Sequence, residues 1–236
     1  MGRHCSRRAT KVARSGGALR YALAMSDPHA SQPVLHMGPQ PAQARLAVIL
    51  VHGRGASAED IVGLAQEFRL ADVAYLAPQA AGHTWYPYSF LAPIEKNEPG
   101  ISSGLRVIGG LIGALGAQGL SADRVAILGF SQGACLSLEF AARNARRYAG
   151  VIGLSGGLIG PPGTPRNYPA SLEGIPVFLG CSDVDPHIPV ERVHESADVF
   201  RALHATVDER IYPGMGHTVN VDEIEAVRGL LAVRSH

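Results

Sequence analysis

The sequence predicts an α/β fold with a mainly parallel, doubly wound sheet and helices on both of its faces. Two observations support this prediction. The first is that short apolar runs rich in Val, Ile and Leu alternate along the chain with longer segments of helical periodicity, and the second is that these runs are continuously apolar. Continuous apolar runs are typical of strands that are buried on both sides, and parallel strands need connecting helices of the kind that separate these runs. The length of 236 residues fits one such domain.

The predicted elements follow one another in a regular order. Six strands are predicted from their apolar runs: LAVILVHG from residue 46, VAYLAPQ from 73, RVAILGF from 124, GVIGLS from 150, IPVFLGC from 175 and VDERIYP from 207. Five helices are predicted between and after them: ASAEDIVGLAQEF from residue 56, SSGLRVIGGLIGALGAQG from 102, QGACLSLEFAARN from 132, VERVHESADVFRALHA from 190 and VDEIEAVRGLLAV from 221. The longest irregular segment of the domain, residues 79–100, is of the length that often carries function.

We place the α/β domain at residues 41–236 and expect residues 1–40 to lie outside it. The first 25 residues hold six Lys and Arg residues and no acid, and a Pro-rich approach follows them. This head lacks a convincing apolar core and a cleavage site, so we interpret it as a disordered tail or an over-long start rather than as a targeting signal. Met25 is the alternative start.

Composition excludes several classes of function. The net charge is +1 and the basic residues of the head account for it, so no general attraction to nucleic acid follows. No apolar run reaches the roughly 20 residues that span a bilayer. Three widely separated cysteines argue against a disulfide framework and favour the cytoplasm. No zinc motif or phosphate-binding loop is present, so we expect no metal and no cofactor.

The pattern Gly-x-Ser-x-Gly occurs twice, around Ser131 and around Ser155. A nucleophilic serine of this pattern sits on a tight turn between a buried strand and a helix. Ser131 has both neighbours. Ser155 follows a strand, but the segment GGLIGPPGTPRN after it is too rich in Pro and Gly to form a helix. We therefore predict Ser131 as the nucleophile and Ser155 as a structural strand end.

A serine nucleophile needs a base, and the base needs a third group that fixes its tautomer. In a doubly wound hydrolase these partners follow the serine in the order acid, then histidine. His217 lies in a Gly-rich loop after the last strand and is the predicted base, whereas His187, His194 and His204 are interpreted as surface or packing residues. Asp183 and Asp185 follow the preceding strand. We predict Asp185 as the acid because the following proline holds it in extended geometry, whereas Asp183 suits a turn.

Two backbone N–H groups are predicted to stabilise the oxyanion of acyl transfer, those of Gln132 and Arg54. The loop that holds Arg54 has a rival interpretation, because residues 53–58 match the dinucleotide fingerprint G-x-G-x-x-A. That fingerprint also needs an acid at the end of the next strand, where this chain has Pro78 and Gln79. A dinucleotide-binding oxidoreductase and a hydrolase-like binding protein without catalysis remain the less favoured alternatives.

Four motifs together resemble the phospholipase/carboxylesterase family of α/β-hydrolases, which includes the acyl-protein thioesterases. They are LVHGRGASAEDI, GFSQGACLSL, DPHIP and YPGMGHTV, and the resemblance covers residues 45–232. It implies an α/β-hydrolase fold, Ser131 as nucleophile, Asp185 as acid, His217 as base, and the oxyanion donors of Arg54 and Gln132. The segment after Trp85 differs from the thioesterase branch, which favours a carboxylesterase for small to medium esters. The alternative is an acyl-protein thioesterase or lysophospholipase that acts on long-chain substrates.

The irregular segment 79–100 carries the aromatic residues Trp85, Tyr86, Tyr88 and Phe90. It follows a parallel strand, and loops at the carboxyl ends of such strands surround the ligand crevice. We predict that Trp85, Tyr88 and Phe90, with Ile188 beside the acid, wall a pocket for a small-molecule ester. The competing interpretation is that the aromatic residues pack the loop onto the domain. Cys135, one helical turn after Ser131, is interpreted as a buried structural thiol, and homodimer formation is left open.

Overall fold

The structure is a computed structural model that describes residues 27–168 and 170–232. The described residues form one seven-stranded sheet with the order β1-β3-β2-β4-β5-β6-β7, in which β1 alone runs antiparallel to its neighbour. The strands are β1 Val34–Met37, β2 Leu46–Val51, β3 Val73–Pro78, β4 Val125–Phe130, β5 Gly150–Leu154, β6 Pro176–Ser182 and β7 Thr206–Tyr212. The predicted mainly parallel sheet is confirmed.

Five α-helices of the described residues cover both faces of this sheet. They are α1 Ala58–Gln66, α2 Gly100–Ala117, α3 Gln132–Arg143, α4 Val190–Ala202 and α5 Val221–Ala232. Alternate residues of the central strands face opposite ways, so Ile49 and Ile127 pack with α2, α3 and α4, whereas Leu50 and Leu128 pack with α1 and α5. Helices on both faces bury the whole of β2, as its continuous apolar sequence predicts.

Strand β1 lies ahead of the predicted domain boundary at residue 41, and that boundary is therefore wrong. Val34 pairs with Pro78 and Met37 pairs with Tyr75 across an antiparallel ladder. An edge strand tolerates flanking prolines because one side of it carries no ladder hydrogen bonds. The Pro-rich composition of this segment therefore does not exclude a strand, although it gave no sign of one. The predictions for the basic head concern residues 1–26, which lie outside the described residues.

The segment before β1 is also tied to the domain. The buried ring of His29 accepts a hydrogen bond from the Ala81 backbone N–H at 3.0 Å, and its other nitrogen donates to the Trp85 carbonyl oxygen at 2.9 Å. Asp27 forms an ion pair with Arg106 of α2 at 3.0 Å. Residues 27–29 thus contact both α2 and the irregular segment that carries the aromatic residues.

Helix α2 is the one described helix whose length and apolar composition would allow it to cross a membrane. A core helix passes the same test, and Ile101, Ile108 and Leu115 of α2 belong to the buried core. Gly104 allows close packing, because a Cβ there would lie 2.6 Å from a methyl group of Leu136. The apolar composition of α2 is therefore accounted for by its place against the sheet and α3.

Candidate active site

Ser131 occupies the tight turn between β4 and α3. Its backbone has φ 55° and ψ −120°, a left-handed region that a side chain rarely adopts. Gly129 and Gly133 make the turn possible, because a Cβ at Gly129 would collide with the backbone of Gly133, and a Cβ at Gly133 would collide with that of Val51. The serine N–H donates to the Leu154 carbonyl oxygen of β5 at 2.9 Å. The strained turn is thus held by the neighbouring strand.

A continuous chain of hydrogen bonds joins Ser131, His217 and Asp185. Nε2 of His217 lies 2.8 Å from Oγ of Ser131, and Nδ1 of His217 lies 2.7 Å from Oδ2 of Asp185. With its proton on Nδ1, the ring donates to the carboxylate and accepts the serine hydroxyl at Nε2. The structure therefore brings together the three residues that the sequence predicts as nucleophile, base and acid.

Asp185 is held as a carboxylate. Its side chain is fully buried, and burial raises its pKa. The hydrogen bond from His217, those from the backbone N–H groups of His187 and Ile188, and the charge attraction of His217 act in the opposite direction and leave the pKa below the usual value. Asp185 is therefore ionised at neutral pH and keeps the His217 ring in one orientation.

Asp183 has a different place, in the contact between two loops. Its Oδ1 accepts a hydrogen bond from the Gly214 backbone N–H at 2.7 Å, and its side chain does not reach His217. Oγ of Ser182 accepts hydrogen bonds from the N–H groups of Val184 at 3.2 Å and Gly216 at 3.0 Å. Both side chains thus connect the loop of the acid to the loop of the histidine.

The His217 ring is supported on two sides by rings. Phe130 packs against it with 5.0 Å between ring centroids, and His187 contacts it edge-on at 4.8 Å. His187 was expected to be a surface or packing residue, and it is exposed at the mouth of the site. No signal in the sequence places either ring against His217, because both contacts depend on how three separate loops meet.

The two predicted oxyanion donors lie on either side of Ser131. Gln132 is the first residue of α3, so its N–H has no acceptor within the helix and points from the positive end of the helix dipole. The turn that carries Arg54 comes directly after Gly53, where a Cβ would lie 3.4 Å from Cβ of Ser131. Both candidate donors are thus carried by turns next to the serine.

The side chains of Gln132 and Arg54 hold the aromatic segment, a role that we did not predict. Oε1 of Gln132 accepts from the Trp85 backbone N–H at 2.8 Å, and its Nε2 donates to the Tyr86 carbonyl oxygen at 2.8 Å. The Arg54 guanidinium donates to the carbonyl oxygens of Pro87 at 2.8 Å and Tyr88 at 2.6 Å. The residues that carry the candidate oxyanion donors therefore also fix residues 85–88.

A cavity of about 420 Å³ opens beside Ser131. Three of the four predicted pocket residues, Tyr88, Phe90 and Ile188, line it. Further lining side chains are Arg54, Tyr86, Phe130, Cys135 and His187. The wall is mostly aromatic and aliphatic, as in many small-molecule sites.

Trp85 does not line this cavity, and its predicted place there is wrong. The side chain is fully buried, its Nε1–H donates to the His52 carbonyl oxygen at 2.9 Å, and its ring packs against those of His29 and His52. An indole N–H needs an acceptor when it is buried, and this carbonyl oxygen at the end of β2 provides one. For Trp85 the competing interpretation, packing of the loop onto the domain, describes what the structure shows.

Cys135 is buried one turn after Ser131, and burial raises its pKa to about 12. The group is therefore a thiol at neutral pH rather than a reactive thiolate. Within residues 27–168 and 170–232, no cluster of three or more His, Cys, Asp and Glu side chains could hold a metal ion.

Comparison with known proteins agrees with the seven-stranded, mainly parallel sheet. A family model described as Phospholipase/Carboxylesterase matches residues 33–234. The chain belongs to this family. Its α/β-hydrolase fold is thereby confirmed, and membership supports ester hydrolysis as its class of activity over the dinucleotide-binding alternative.

Individual relatives of this phospholipase/carboxylesterase family member carry two kinds of name. Acyl-protein thioesterase 1 of Neurospora crassa is 26% identical over 221 residues, which cover 82% of this chain and 89% of the relative. A solved phospholipase/carboxylesterase from Dyadobacter fermentans is 41% identical with a TM-score of 0.83, covering 86% of this chain and 97% of that chain. The solved esterase PE8 is 25% identical with a TM-score of 0.68, covering 85% and 97% respectively.

Proposed function

We propose that the protein is a serine carboxylesterase that hydrolyses small to medium carboxylic esters through an acyl-enzyme on Ser131. The observation that carries this proposal is the unbroken hydrogen-bond chain from Ser131 through His217 to Asp185. A serine hydroxyl is a weak nucleophile at neutral pH, and a base at 2.8 Å supplies the activation that it lacks.

The geometry supports a two-step reaction. As Oγ of Ser131 attacks the ester carbonyl carbon, Nε2 of His217 takes the hydroxyl proton, and the ionised Asp185 stabilises the imidazolium. The N–H groups of Gln132 and Arg54 are the proposed donors to the oxyanion of the tetrahedral intermediate. His217 then protonates the leaving alcohol, and the acyl-enzyme forms. A water molecule activated by the same ring releases the carboxylic acid.

The supported wall of the cavity at Phe90 favours small to medium acyl groups. Phe90 lines the cavity and is held in place, because its carbonyl oxygen accepts from the Gly160 N–H at 2.7 Å and the Arg192 guanidinium stacks 5.9 Å from its ring centroid. Arg192 is itself buried and donates to the carbonyl oxygens of Leu158 and Gly160. A wall supported in this way resists the displacement that a long acyl chain in this direction would require.

The second candidate is a thioesterase or lysophospholipase that acts on long-chain acyl groups. The curated relatives named acyl-protein thioesterase 1 favour it. A panel of p-nitrophenyl esters and acyl thioesters of graded chain length decides between the two. We expect kcat/KM to be highest for short and medium acyl esters, whereas an optimum at palmitoyl-like chains would favour the thioesterase.

Two further alternatives are separated by simple measurements. A binding protein without catalysis would hydrolyse none of the panel, and a dinucleotide-binding oxidoreductase would show heat on titration with a nicotinamide cofactor. We expect hydrolysis, no such heat, and activity that survives chelators. We also propose a cytoplasmic location, because the two described cysteines, Cys135 and Cys181, are both free thiols.

A further inference from the structure

Tyr86 is one of the residues that line the cavity beside Ser131, and its hydroxyl is buried. Only 2% of the residue is exposed, and its Oη makes no hydrogen bond of normal geometry with the described residues. The neighbouring thiol of Cys135 is a hydrogen-bond partner of the phenol, but sulfur is a weak one. A buried hydroxyl without a partner destabilises a protein by about 1–3 kcal/mol, so such groups call for an explanation.

The position of Tyr86 places it next to the acyl part of a bound ester rather than next to the leaving alcohol. His217 must protonate the leaving oxygen, so the alcohol lies on the side of His217, where Phe130 and His187 pack against the ring. Tyr86, Phe90 and Cys135 also line the cavity and do not take part in these contacts with His217. Cys135 follows Ser131 by one turn of α3, which is a rise of about 6 Å along the helix.

The chemistry of this part of the wall favours an acceptor oxygen. Burial, followed by the neighbouring Cys135, raises the pKa of Tyr86 well above its ordinary value, so the phenol keeps its proton and acts as a donor. The described residues that line the cavity include the cation Arg54 and no carboxylate, so no charged acceptor of the wall competes for this proton.

We propose that the Tyr86 hydroxyl donates a hydrogen bond to an oxygen atom in the acyl group of the substrate. This inference rests on the proposed esterase function and narrows it to esters of short acids that carry a keto, ether or hydroxyl oxygen a few bonds from the ester carbonyl. Plain alkanoates of the same size enter the cavity but leave the phenol with only the weak contact to the Cys135 thiol. The free energy of the hydrogen bond from Tyr86 therefore sets the preference for acyl groups with an acceptor oxygen over plain alkanoyl groups.

A pair of esters of equal shape tests the proposal. In p-nitrophenyl 4-oxopentanoate a carbonyl group stands where p-nitrophenyl 4-methylpentanoate has a CH–CH3 group. We expect Tyr86→Phe to lower kcat/KM for the oxo ester by about 10-fold to 100-fold, and to leave that for the methyl ester within about 2-fold. Comparing the ratio of the two esters between wild type and variant cancels the difference in their intrinsic reactivity. An equal ratio in both proteins would overturn the proposal.

Tyr75 provides a matched control. It is 2% exposed, its hydroxyl also has no partner among the described residues, and it lies on β3 in the core on the other face of the sheet. Tyr75→Phe should leave the ester ratio unchanged. If it shifts the ratio as much as Tyr86→Phe does, the effect is a general one on folding and the inference fails.

Two further outcomes keep the inference separate from the proposed function. If wild type hydrolyses neither ester, or if Ser131→Ala retains the activity, the esterase proposal itself fails. Product inhibition of wild type does not depend on how a variant folds. We expect 4-oxopentanoate to inhibit with a Ki about 10-fold lower than that of 4-methylpentanoate, and equal constants would overturn the role of Tyr86.

Discussion

The two Gly-x-Ser-x-Gly segments lie side by side in the structure, at the ends of the neighbouring parallel strands β4 and β5. Their serines have similar backbone geometry, with φ 55° at Ser131 and φ 49° at Ser155. Each serine N–H donates to a carbonyl oxygen of the next strand, at 2.9 Å for Ser131 and 2.7 Å for Ser155. The shared pattern thus produces a shared turn.

The difference between them begins with the residue after each serine. Ser131 is followed directly by α3 and its Oγ is within reach of His217, whereas Ser155 is fully buried and its Oγ has no hydrogen-bond partner of normal geometry among the described residues. The chain after Ser155 packs against α3, because a Cβ at Gly156 would collide with that of Ala134. The motif therefore specifies a turn, and the element that follows decides whether the hydroxyl reaches a substrate.

The largest effect is expected from exchanging the two serines for alanine. Ser131→Ala should abolish esterase activity and labelling by a fluorophosphonate, because no other described hydroxyl contacts His217. Ser155→Ala should keep both. Mass spectrometry of the labelled protein identifies the modified peptide, and a label on Ser155 would reverse the comparison.

A second pair of variants tests the loops that face Ser131. Asp185→Asn should lower kcat by about four orders of magnitude, because the amide cannot hold the His217 ring in its working tautomer. Asp183→Asn removes only part of a contact between loops and should mainly lower the thermal midpoint. If both variants are folded and lose the same activity, the 2.7 Å contact of Asp185 with His217 does not distinguish Asp185 from Asp183 as the acid of the triad.

The Ser155 side of the molecule contains a second buried group with an unpaired atom, Glu223 of α5. Its Oε1 has no partner among the described residues and lies against Gly180, the residue that accepts the Ser155 N–H. Burial raises the pKa of Glu223 from 4.5 to about 7. As the pH rises, the unfolded chain loses this proton at a lower pH than the folded protein does. The free energy of unfolding should therefore fall between pH 4.5 and about pH 7, and Glu223 should cause no further change above that pH.

Replacing Glu223 by Gln removes this titration. The measured quantity is the free energy of unfolding of the variant minus that of wild type. This difference should be about 3 kcal/mol larger at pH 8 than at pH 4. Chemical denaturation over this pH range measures the effect. Glu225 is an exposed acid of the same helix, and Glu225→Gln is the control that should run parallel to wild type. A Glu223→Gln curve parallel to wild type would show that the carboxyl is not held protonated.

The smallest effect is expected at Arg54, whose side chain joins the turn that carries a candidate oxyanion donor to the aromatic segment, residues 85–90. Arg54→Met removes the bonds to the carbonyl oxygens of Pro87 and Tyr88. We expect kcat to fall about 10-fold with a smaller change in KM, because the N–H donor loses its support. Arg54→Lys should recover only part of the loss, since one ammonium replaces a two-pronged guanidinium. Unchanged kcat in both variants would show that the turn is held by its backbone alone.

The sequence predicts the fold and the chain of three polar residues because both depend on local patterns. A buried strand followed by a helix defines Ser131, and the later strand ends define Asp185 and His217. The direction of a side chain in an irregular loop depends on partners far along the chain. Trp85 turns inward to the carbonyl oxygen of His52, 33 residues earlier. For the same reason the role of the Arg54 side chain and the contact of His187 with His217 were not predictable.

The contacts of residues 27–29 tie the start of the described chain to the wall of the cavity. His29 holds the backbone at Ala81 and at Trp85, directly before Tyr86 in the cavity wall, and Asp27 fixes the same segment to Arg106. A chain that begins at Met25 keeps all of these contacts. A protease that cuts after His29 would release the support behind the cavity while leaving Ser131, Asp185 and His217 in place. A cut that keeps the contacts of Asp27 and His29 with the domain must therefore lie before Asp27.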